Sequence, residues 1–485
     1  MRTLKFLLIL TLGFSVLVPD SGFTRSRSDN YKNEAIEWID ANQEQFNDAA
    51  EKINTYAETA FKEYKSAKLL AGILEENGFV LERGVAEILT AFVATYGTGY
   101  PVVGILAEYD ALPGLSQVPG ITSKEPLEPG KGGHGCGHNL FGTGSTAAAL
   151  AVKVIMEKHD LNGTIKLFGC PAEETLAGKI YMAKAGVFDG LDVCFTWHPS
   201  TVNKARLAKS IAMNNFEVVF RGKTAHGAAD PWNGRSALDA VELMNSGVNY
   251  LREHVKPTVR IHYIIDHGGE APNIVPDFAK VWYFVRDLDR AGVDHVYEWV
   301  LKCAEGATLM TGTDMEVNLI TGCYEYLPNH VLSRVLDKNL RLAGPPKFTE
   351  EDQEYAKEMQ RNLGIPEKGI STELPEFEDK ETPGGGSTDT ADVSWLVPIS
   401  GELGIATAPA GVPWHSWAVT SSSGCSIGFK GMHVAAKTLA ASTIEALMDT
   451  KIVEEAKAEF AEKTKDFTYK CAVPLDQKPP IPEGE

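Results

Sequence analysis

Residues 101–107, with the sequence PVVGILA, form an apolar run without a charged side chain. A strand that is apolar on both faces is typical of the centre of a parallel sheet covered by helices. Similar runs occur at 163–169 and 192–197, and the alanine-rich stretch 143–158 between the first two has helical periodicity. The order strand, helix, strand predicts an α/β fold whose larger domain is built on a doubly wound, mostly parallel sheet.

Side chains that suit metal binding or acid–base chemistry follow each of these runs. Asp110 comes three residues after the first run, Glu173 and Glu174 follow the second, and His198 follows the third. The carboxyl ends of parallel strands lie at one edge of a sheet, where ligands gather. The acidic pair alone would more often be a solvated turn, but four such placements predict a functional site at this edge.

The glycine-rich segment 133–139, GHGCGHN, places Cys136 and His138 two residues apart just before the alanine-rich helix. Glycine allows backbone turns that other residues resist, so both side chains can reach one point. A thiolate and an imidazole suit zinc or a similar transition ion far better than calcium or magnesium. On its own the segment could equally be a surface loop with an incidental cysteine. Beside the carboxylates and His198, it predicts a metal site.

From residue 212 the pattern changes to strands and amphipathic helices in the order βαββαβ, which predicts an inserted ferredoxin-like α+β domain. We expect the charged stretch at 345–382 to be an irregular surface excursion and 432–448 to be the last helix. The predicted units are a signal peptide at 1–22, a catalytic domain at 23–211 and 326–485, and a lid or dimerisation domain at 212–325.

Composition and the first residues indicate where the chain works. The formal net charge of -19 and the lack of a run rich in lysine or arginine disfavour nucleic-acid binding. A basic start, an apolar run at 6–18 and a break at 19–22 predict a signal peptide. We therefore expect export to the periplasm or outside the cell, with no stable membrane association after cleavage; an uncleaved anchor is the alternative. Seven cysteines without a framework spacing argue against a disulfide-stapled fold.

Five motifs occur in the order found in one metallopeptidase family: HGCGHN at 134–139, PAEE at 171–174, WHP at 197–199, GKTAH at 222–226 and the late His415. The chain resembles the aminoacylase/carboxypeptidase-type amidohydrolases, which use two metal ions. This resemblance implies that metal hydroxide attacks the amide bond of an N-acyl amino acid, above all p-aminobenzoyl-glutamate or a similar aroyl- or acyl-glutamate. It also implies a homodimer, or a heterodimer with a homologous subunit.

The resemblance further implies a role for each residue that matches a family motif. Two divalent ions, zinc or manganese, would be held by five residues: Cys136, His138, Glu174, His198 and His415. Glu173 would be the general base, which takes a proton from the attacking water and returns it to the leaving amine.

Asp110 lies where many relatives carry the motif His-x-Asp with the histidine as a ligand, whereas this chain has Glu108-Tyr109-Asp110. The resemblance implies that Asp110 orients a metal ligand. Glu108 is either a residue at the rim of the site or a solvated carboxylate. His134 is expected to be a satisfied loop histidine rather than a ligand.

Three residues of the inserted domain match family positions that contact the substrate. His226 would reach across a dimer interface into the partner's site and donate to the oxygen that becomes negative. Asn273 and Arg286 would grip the substrate's carboxylate, a task that suits the arginine fork. An ordinary surface salt bridge is the alternative for Arg286.

Other functions remain open at this point. The same machinery would serve an aminoacylase or a dipeptidase, and the motifs cannot separate these substrates. A catalytically silent subunit of a hetero-oligomeric hydrolase is an alternative of another class, although an intact Glu173 and a full ligand set argue against it. A redox role for Cys136 would need a C-x-x-C motif, which the sequence lacks.

Overall fold

The computed structural model describes residues 27–481, so the predicted signal peptide at 1–22 lies outside the described residues. The α-helices are α1 (Arg27–Ala41), α2 (Gln43–Tyr56), α3 (Tyr64–Glu76), α4 (His138–His159), α5 (Gly178–Lys184), α6 (Ala237–Leu251), α7 (Arg290–Thr311), α8 (His330–Ala343), α9 (Glu350–Leu363), α10 (Thr390–Ser394), α11 (Trp417–Ser423), α12 (Ser426–Met448) and α13 (Thr450–Thr464). The strands are β1 (Val80–Arg83), β2 (Phe92–Thr98), β3 (Val102–Glu108), β4 (Gly163–Cys170), β5 (Val193–Phe195), β6 (His198–Ser200), β7 (Lys204–Arg206), β8 (Ala212–Arg221), β9 (Arg260–His267), β10 (Phe278–Asp287), β11 (Asp314–Cys323) and β12 (Glu402–Ala406).

The main sheet has five strands in the order β1-β2-β4-β3-β5. β3 pairs in parallel with β4 and β5, but β2 is antiparallel to both β1 and β4. The α/β fold is confirmed, whereas the prediction of a mostly parallel sheet is wrong, because the sheet is mixed. A strand shows the same alternation of apolar and polar residues whether its partner runs parallel or antiparallel. The pattern at 79–96 therefore could not predict that β2 is antiparallel to its neighbours.

The unit β3–α4–β4 forms the centre of the main part of the molecule. α4 packs against both β3 and α12. Gly142 permits the close approach of α4, because a Cβ at this position would lie 2.6 Å from the backbone oxygen of Glu108. By length and composition α4 could cross a membrane, but 89% of its apolar window is buried within the protein, as in a core helix.

The segment from β8 to β11 forms a second sheet with its own hydrophobic core. Its four antiparallel strands have the order β11-β8-β10-β9, and α6 and α7 pack against it. The alternation along β10 buries every second residue, including Val281, Tyr283 and Val285. The element order βαββαβ agrees with the prediction from the sequence.

A three-stranded sheet joins the two stretches of the larger part. β12 pairs in parallel with β6 and antiparallel with β7, which places residues 402–406 beside His198. All seven cysteines lie within the described range and are free thiols.

Two regions outside the sheets differ from prediction. The stretch 345–382, expected to be irregular, contains the 14-residue helix α9. A capping box starts this helix: the Thr349 hydroxyl accepts from the Asp352 backbone N–H, and the Asp352 carboxylate accepts from the Thr349 N–H. Ala356 and Met359 are the buried apolar residues of this helix, and because charged residues surround them in the sequence, they do not form a recognisable helical pattern. The helix predicted at 432–448 begins at Ser426, and α13 follows it.

Candidate metal-dependent active site

The carboxyl ends of β3 and β4 meet at one edge of the main sheet, since Glu108 is opposite Cys170 in the register. Asp110 lies just beyond, buried, and its two oxygens have different partners. Oδ1 is 2.9 Å from His138 Nδ1, and Oδ2 accepts from the backbone N–H of Glu174 at 2.9 Å. Burial alone would raise the pKa of Asp110, but the hydrogen bond and charge of His138 outweigh it and lower the pKa. Asp110 therefore fixes two predicted ligands.

Asp110 also fixes the ring orientation of His138. A carboxylate can only accept, so Nδ1 of His138 donates to Asp110, and Nε2 is the ring nitrogen that faces the rest of the cluster. His198 is held in the same way: its Nδ1 lies 2.7 Å from the backbone oxygen of Pro199, which can only accept. Its Nε2 is 3.4 Å from the Sγ atom of Cys136. Both histidines thus direct their Nε2 atoms into the site, the arrangement that metal-bound histidines adopt.

The five predicted ligands form two groups that share one residue. Potential ligand atoms of Cys136, His138 and His198 lie within 4.8 Å of one another, and so do those of Cys136, Glu174 and His415. In the second group, His415 Nε2 is 3.4 Å from Glu174 Oε2. The structure therefore brings together side chains that span 279 positions of sequence, from 136 to 415, around the shared thiol of Cys136.

Several buried atoms of this cluster have no hydrogen-bond partner in the described part of the chain. They are His138 Nε2, Glu174 Oε1 and Glu108 Oε2. A buried polar atom without a partner is costly unless a cation coordinates it. Sulfur, nitrogen and carboxylate oxygen are also the donor atoms that zinc and similar ions use. The residues present therefore fit a divalent metal centre.

Glu173 lies in the turn that follows β4, almost completely buried. The preceding residue, Ala172, has a φ of 57°, a left-handed conformation that is strained for any residue with a side chain. Potential ligand atoms of Glu173, Glu108 and His138 lie within 4.8 Å of one another. Burial raises the pKa of Glu173 well above its usual range, and the nearby carboxylates of Glu108 and Asp389 add to the effect. Glu173 is therefore suited to hold and release a proton.

A cleft of about 740 Å³ opens from this cluster toward the second sheet. Glu173, Glu174, His198 and His415 line one side, and Trp282, Phe284 and Arg286 of β10 line another. Arg286 Nη1 donates to Ser387 Oγ at 2.8 Å, and the guanidinium has no carboxylate partner among residues 27–481. The alternative of an ordinary surface salt bridge for Arg286 is therefore wrong.

Comparison with known proteins gives the cluster its context. Residues 104–360 match peptidase family M20/M25/M40. The chain is 38% identical over 467 residues to one of the subunits of p-aminobenzoyl-glutamate hydrolase of Escherichia coli K12, covering 91% of this chain and 97% of that protein. This chain belongs to peptidase family M20/M25/M40. It is accordingly a metal-dependent amidohydrolase that acts on acyl amino acids.

Other members of the M20 family agree with this assignment. The chain is 32% identical over 347 residues to the human Xaa-Arg dipeptidase, covering 68% of this chain and 75% of that protein. A crystal structure of a dinuclear metal-binding M20 peptidase from Bacillus subtilis has the same fold, with a TM-score of 0.55 and 19% identity over 84% of this chain and 99% of that one.

Two residues of this M20 enzyme's site were missed by sequence reasoning. Lys179 and Asp389 are both 0% exposed and form an ion pair, and Lys179 Nζ also lies 2.8 Å from Glu108 Oε1. Glu108 is only 2% exposed, so the alternative of a solvated carboxylate is wrong and its place at the rim of the site is right. An acidic residue after the glycine run 384–386 could have pointed to Asp389, but no sequence signal marks Lys179 as buried.

His134 is a satisfied loop histidine, as predicted. It is 1% exposed, its Nε2 lies 3.1 Å from the backbone oxygen of Ile53, and its Nδ1 accepts from the N–H of Asn139. Burial lowers the pKa of His134 to about 3, so this ring remains neutral in the folded protein.

The structure does not bring His226 and Asn273 to the metal-binding cluster of the same chain. Both are exposed at the tip of the second sheet, where the N–H of Gly227 donates to the backbone oxygen of Asn273 at 2.8 Å. His226 Nδ1 accepts from the backbone N–H groups of Ala228 and Ala229. The ring of His226 is therefore held through its Nδ1 atom at an exposed surface.

Proposed function

We propose that this M20 enzyme hydrolyses the amide bond of an aroyl- or acyl-glutamate, with p-aminobenzoyl-glutamate as the first candidate. The observation that carries the proposal is Arg286, a half-buried guanidinium without a carboxylate partner in the described chain, in the cleft beside the metal-binding cluster. Trp282 and Phe284 line the same cleft and suit an aromatic acyl group. The name of the Escherichia coli relative supports the same substrate class.

The proposed metal centre holds two divalent ions, zinc or manganese. Cys136 belongs to both ligand groups, which His138 and His198 complete on one side and Glu174 and His415 on the other, and these five side chains would hold the ions. When bound, such ions polarise a carbonyl and lower the pKa of water toward 7.

The charge balance of the site supports a pair of divalent ions. Five buried carboxyl groups lie at this edge of the sheet, and Lys179 and the imidazole of His138 are basic side chains that contact them in the part of the chain described. The carboxyl groups belong to Glu108, Asp110, Glu173, Glu174 and Asp389. Without compensating cations, their burial would be unfavourable for the ionised forms. Burial indeed raises the pKa of Glu174 to about 7.

The protein's own side chains divide the remaining work. Glu173 takes the proton of the attacking water and passes it to the leaving amine, because it is buried and borders the cleft. Asp110 keeps Nε2 of His138 directed into the site. Arg286 binds the substrate's carboxylate in the fork of its guanidinium.

The inserted domain, residues 212–325, is proposed to act as the lid and as the dimer contact. His226 would then donate to the oxygen of the partner's substrate, with Asn273 beside it, since both are exposed and neither lies in the lining of this chain's own cleft. The partner is a second copy or a homologous subunit. We also propose that residues 1–22 direct export of the enzyme.

Metal analysis combined with a substrate panel tests the proposal. The purified chain should bind two ions, and its kcat/KM for p-aminobenzoyl-glutamate should exceed that for benzoyl-glycine and alanyl-arginine at least about tenfold. A preference for alanyl-arginine would instead support a dipeptidase. Turnover that appears only after a homologous subunit is added, with either metal, would support a silent partner.

A further inference from the structure

The two carboxylate oxygens of Glu108, at the end of β3, have different surroundings. Oε1 lies 2.8 Å from Lys179 Nζ and accepts from the hydroxyl of Thr390 at 3.3 Å. Oε2 has no hydrogen-bond partner in the chain as described, and it lies 3.3 Å from Nε2 of His138. One oxygen is therefore held by the protein, while the other points at a predicted ligand.

The contact between Glu108 and His138 suits a cation. His138 donates through Nδ1 to Asp110, and its Nε2 makes no hydrogen bond to the Glu108 oxygen that faces it. Both facing atoms are buried in the described chain, where polar atoms without a partner are costly. The two atoms are 3.3 Å apart, and potential ligand atoms of Glu108, His138 and Glu173 all lie within 4.8 Å of one another, close enough for one ion to contact them.

We propose that Glu108 is a further ligand of the metal centre, binding through Oε2 the ion that His138 holds, and that Lys179 and Asp389 position it. The inference rests on the proposed two-metal function. Glu108 shares its carboxylate between the ammonium on Oε1 and the ion on Oε2, so neither oxygen is left without a positive partner.

Lys179 cannot move away from Glu108 without breaking other contacts. Lys179 is completely buried at the start of α5. Asp389 contacts it at two points: one carboxylate oxygen pairs with the ammonium, and the other accepts from the Lys179 backbone N–H at 2.8 Å. Asp389 in turn immediately precedes α10, at the end of the glycine-rich segment that lines the cleft. The ion pair thus contacts the predicted metal centre through Glu108.

Glu108→Gln separates this role from a general role in folding. The substitution leaves Lys179 and Asp389 as a balanced ion pair, and the new amide can donate to His138 Nε2. The metal-free variant should therefore melt at the same or a higher temperature than the metal-free parent, while it binds one of its two ions about 100-fold more weakly. Zinc affinity is measured by competition with a chelator, and zinc content by elemental analysis.

A double-mutant cycle tests whether Lys179 works through Glu108. Lys179→Met should weaken binding of the same ion roughly tenfold, and adding it to Glu108→Gln should cause no further loss. A merely structural Lys179 would give additive losses instead. The matched control is Asp392→Asn, a buried carboxylate that bonds Tyr469 and the Tyr324 N–H, which should keep parental zinc affinity.

The outcomes distinguish the two proposals. If the parent binds two ions and Glu108→Gln and Lys179→Met bind both with parental affinity, the ligand role of Glu108 is wrong while the hydrolase stands. If the parent binds fewer than two ions at saturating zinc, both proposals fail. An equal loss of affinity in Asp392→Asn would also overturn the role of Glu108, because the effect would then follow from any lost buried carboxylate.

Discussion

The metal-binding cluster at the end of the main sheet and the tip of the second sheet contrast in how their side chains are held. In the cluster, Asp110 and His138 are buried and fix each other. At the tip, His226 and Asn273 are exposed, and hydrogen bonds to neighbouring backbone groups hold them. The side chains of the cluster contact one another within one chain, whereas those of the tip lie at an exposed surface.

This difference predicts two kinds of mutant. Substitutions of the predicted ligands and of the residues that hold them should change metal binding together with turnover, because each of these side chains is also a contact of another ligand. Substitutions at the tip should change turnover alone, because the ring of His226 is exposed and its hydrogen bonds are confined to its own loop, away from the cluster. The following predictions test that separation.

The largest effect is expected for Glu173→Gln. An amide cannot take a proton from water, so kcat should fall by about 10³-fold or more, while both ions are retained. Turnover of p-aminobenzoyl-glutamate and elemental analysis of the variant measure the two quantities. The control is Glu51→Gln on the exposed face of α2, which should match the parent. Hydrolysis at the parental rate by Glu173→Gln would mean that another group is the base.

His226→Ala tests the tip of the second sheet. The loss of one donor to the reacting oxygen should lower kcat by about 10²–10³-fold. Metal content and melting temperature should not change, because the side chain is exposed. His254→Ala, an exposed histidine on the same part of the chain, is the matched control.

Mixing the two inactive variants shows whether His226 acts in the active site of its own subunit or in that of the partner subunit. If it acts in the partner's site, a mixed dimer of His226→Ala and Glu173→Gln contains one intact site, and random exchange should restore about a quarter of parental activity. If the histidine serves its own chain, no mixed site is intact and activity stays at the level of the single variants.

Asp110→Asn should have an intermediate effect within the cluster. The amide can no longer accept from both His138 and the Glu174 N–H with the strength of a carboxylate, so metal affinity should fall about 10–100-fold. Activity should return in part when zinc is in excess. Measuring affinity and activity on the same preparation checks this link. An unchanged affinity would show that the ligands are held without Asp110.

The cluster could be predicted from the sequence largely because short segments carry it. Acidic and histidine residues that directly follow apolar strands must lie at a sheet edge, and the spacing of Cys136 and His138 already suits a metal. The element order βαββαβ of the second sheet could likewise be predicted, because its strands alternate apolar and polar residues. These features depend on neighbours in sequence, which a single sequence displays.

Features that depend on distant partners could not be predicted. Lys179 is a charged residue on a short helix, and its burial follows only from Asp389, more than 200 positions away. The antiparallel direction of β2 depends on its pairing with β4, and the residues of β2 alone do not indicate it. Helix α9 was not predicted because only two of its four buried side chains are apolar and the rest of the segment is largely charged or polar.

The smallest predicted effect concerns the free energy of unfolding, to which a buried histidine should contribute and an exposed one should not. His433 on α12 is 4% exposed, and its Nε2 lies 2.7 Å from Oδ1 of Asn47 on α2. Burial lowers the pKa of His433 to about 4; Lys437 adds to this, while Asp40 opposes it. Because the folded-state pKa lies below that of the unfolded chain, the unfolded chain binds the proton more readily.

The stability that His433 contributes is therefore fully present above pH 6.5 and is lost as the pH falls toward 4. We expect the unfolding free energy of the metal-free protein to drop by about 1–3 kcal/mol more over this window than that of His433→Gln, whose amide still donates to Asn47 but does not titrate. Urea unfolding at pH 7, 5.5 and 4 measures the difference. His254→Gln, with its exposed ring, should follow the parental curve, and a parental curve for His433→Gln as well would place the acid-sensitive group elsewhere in the core.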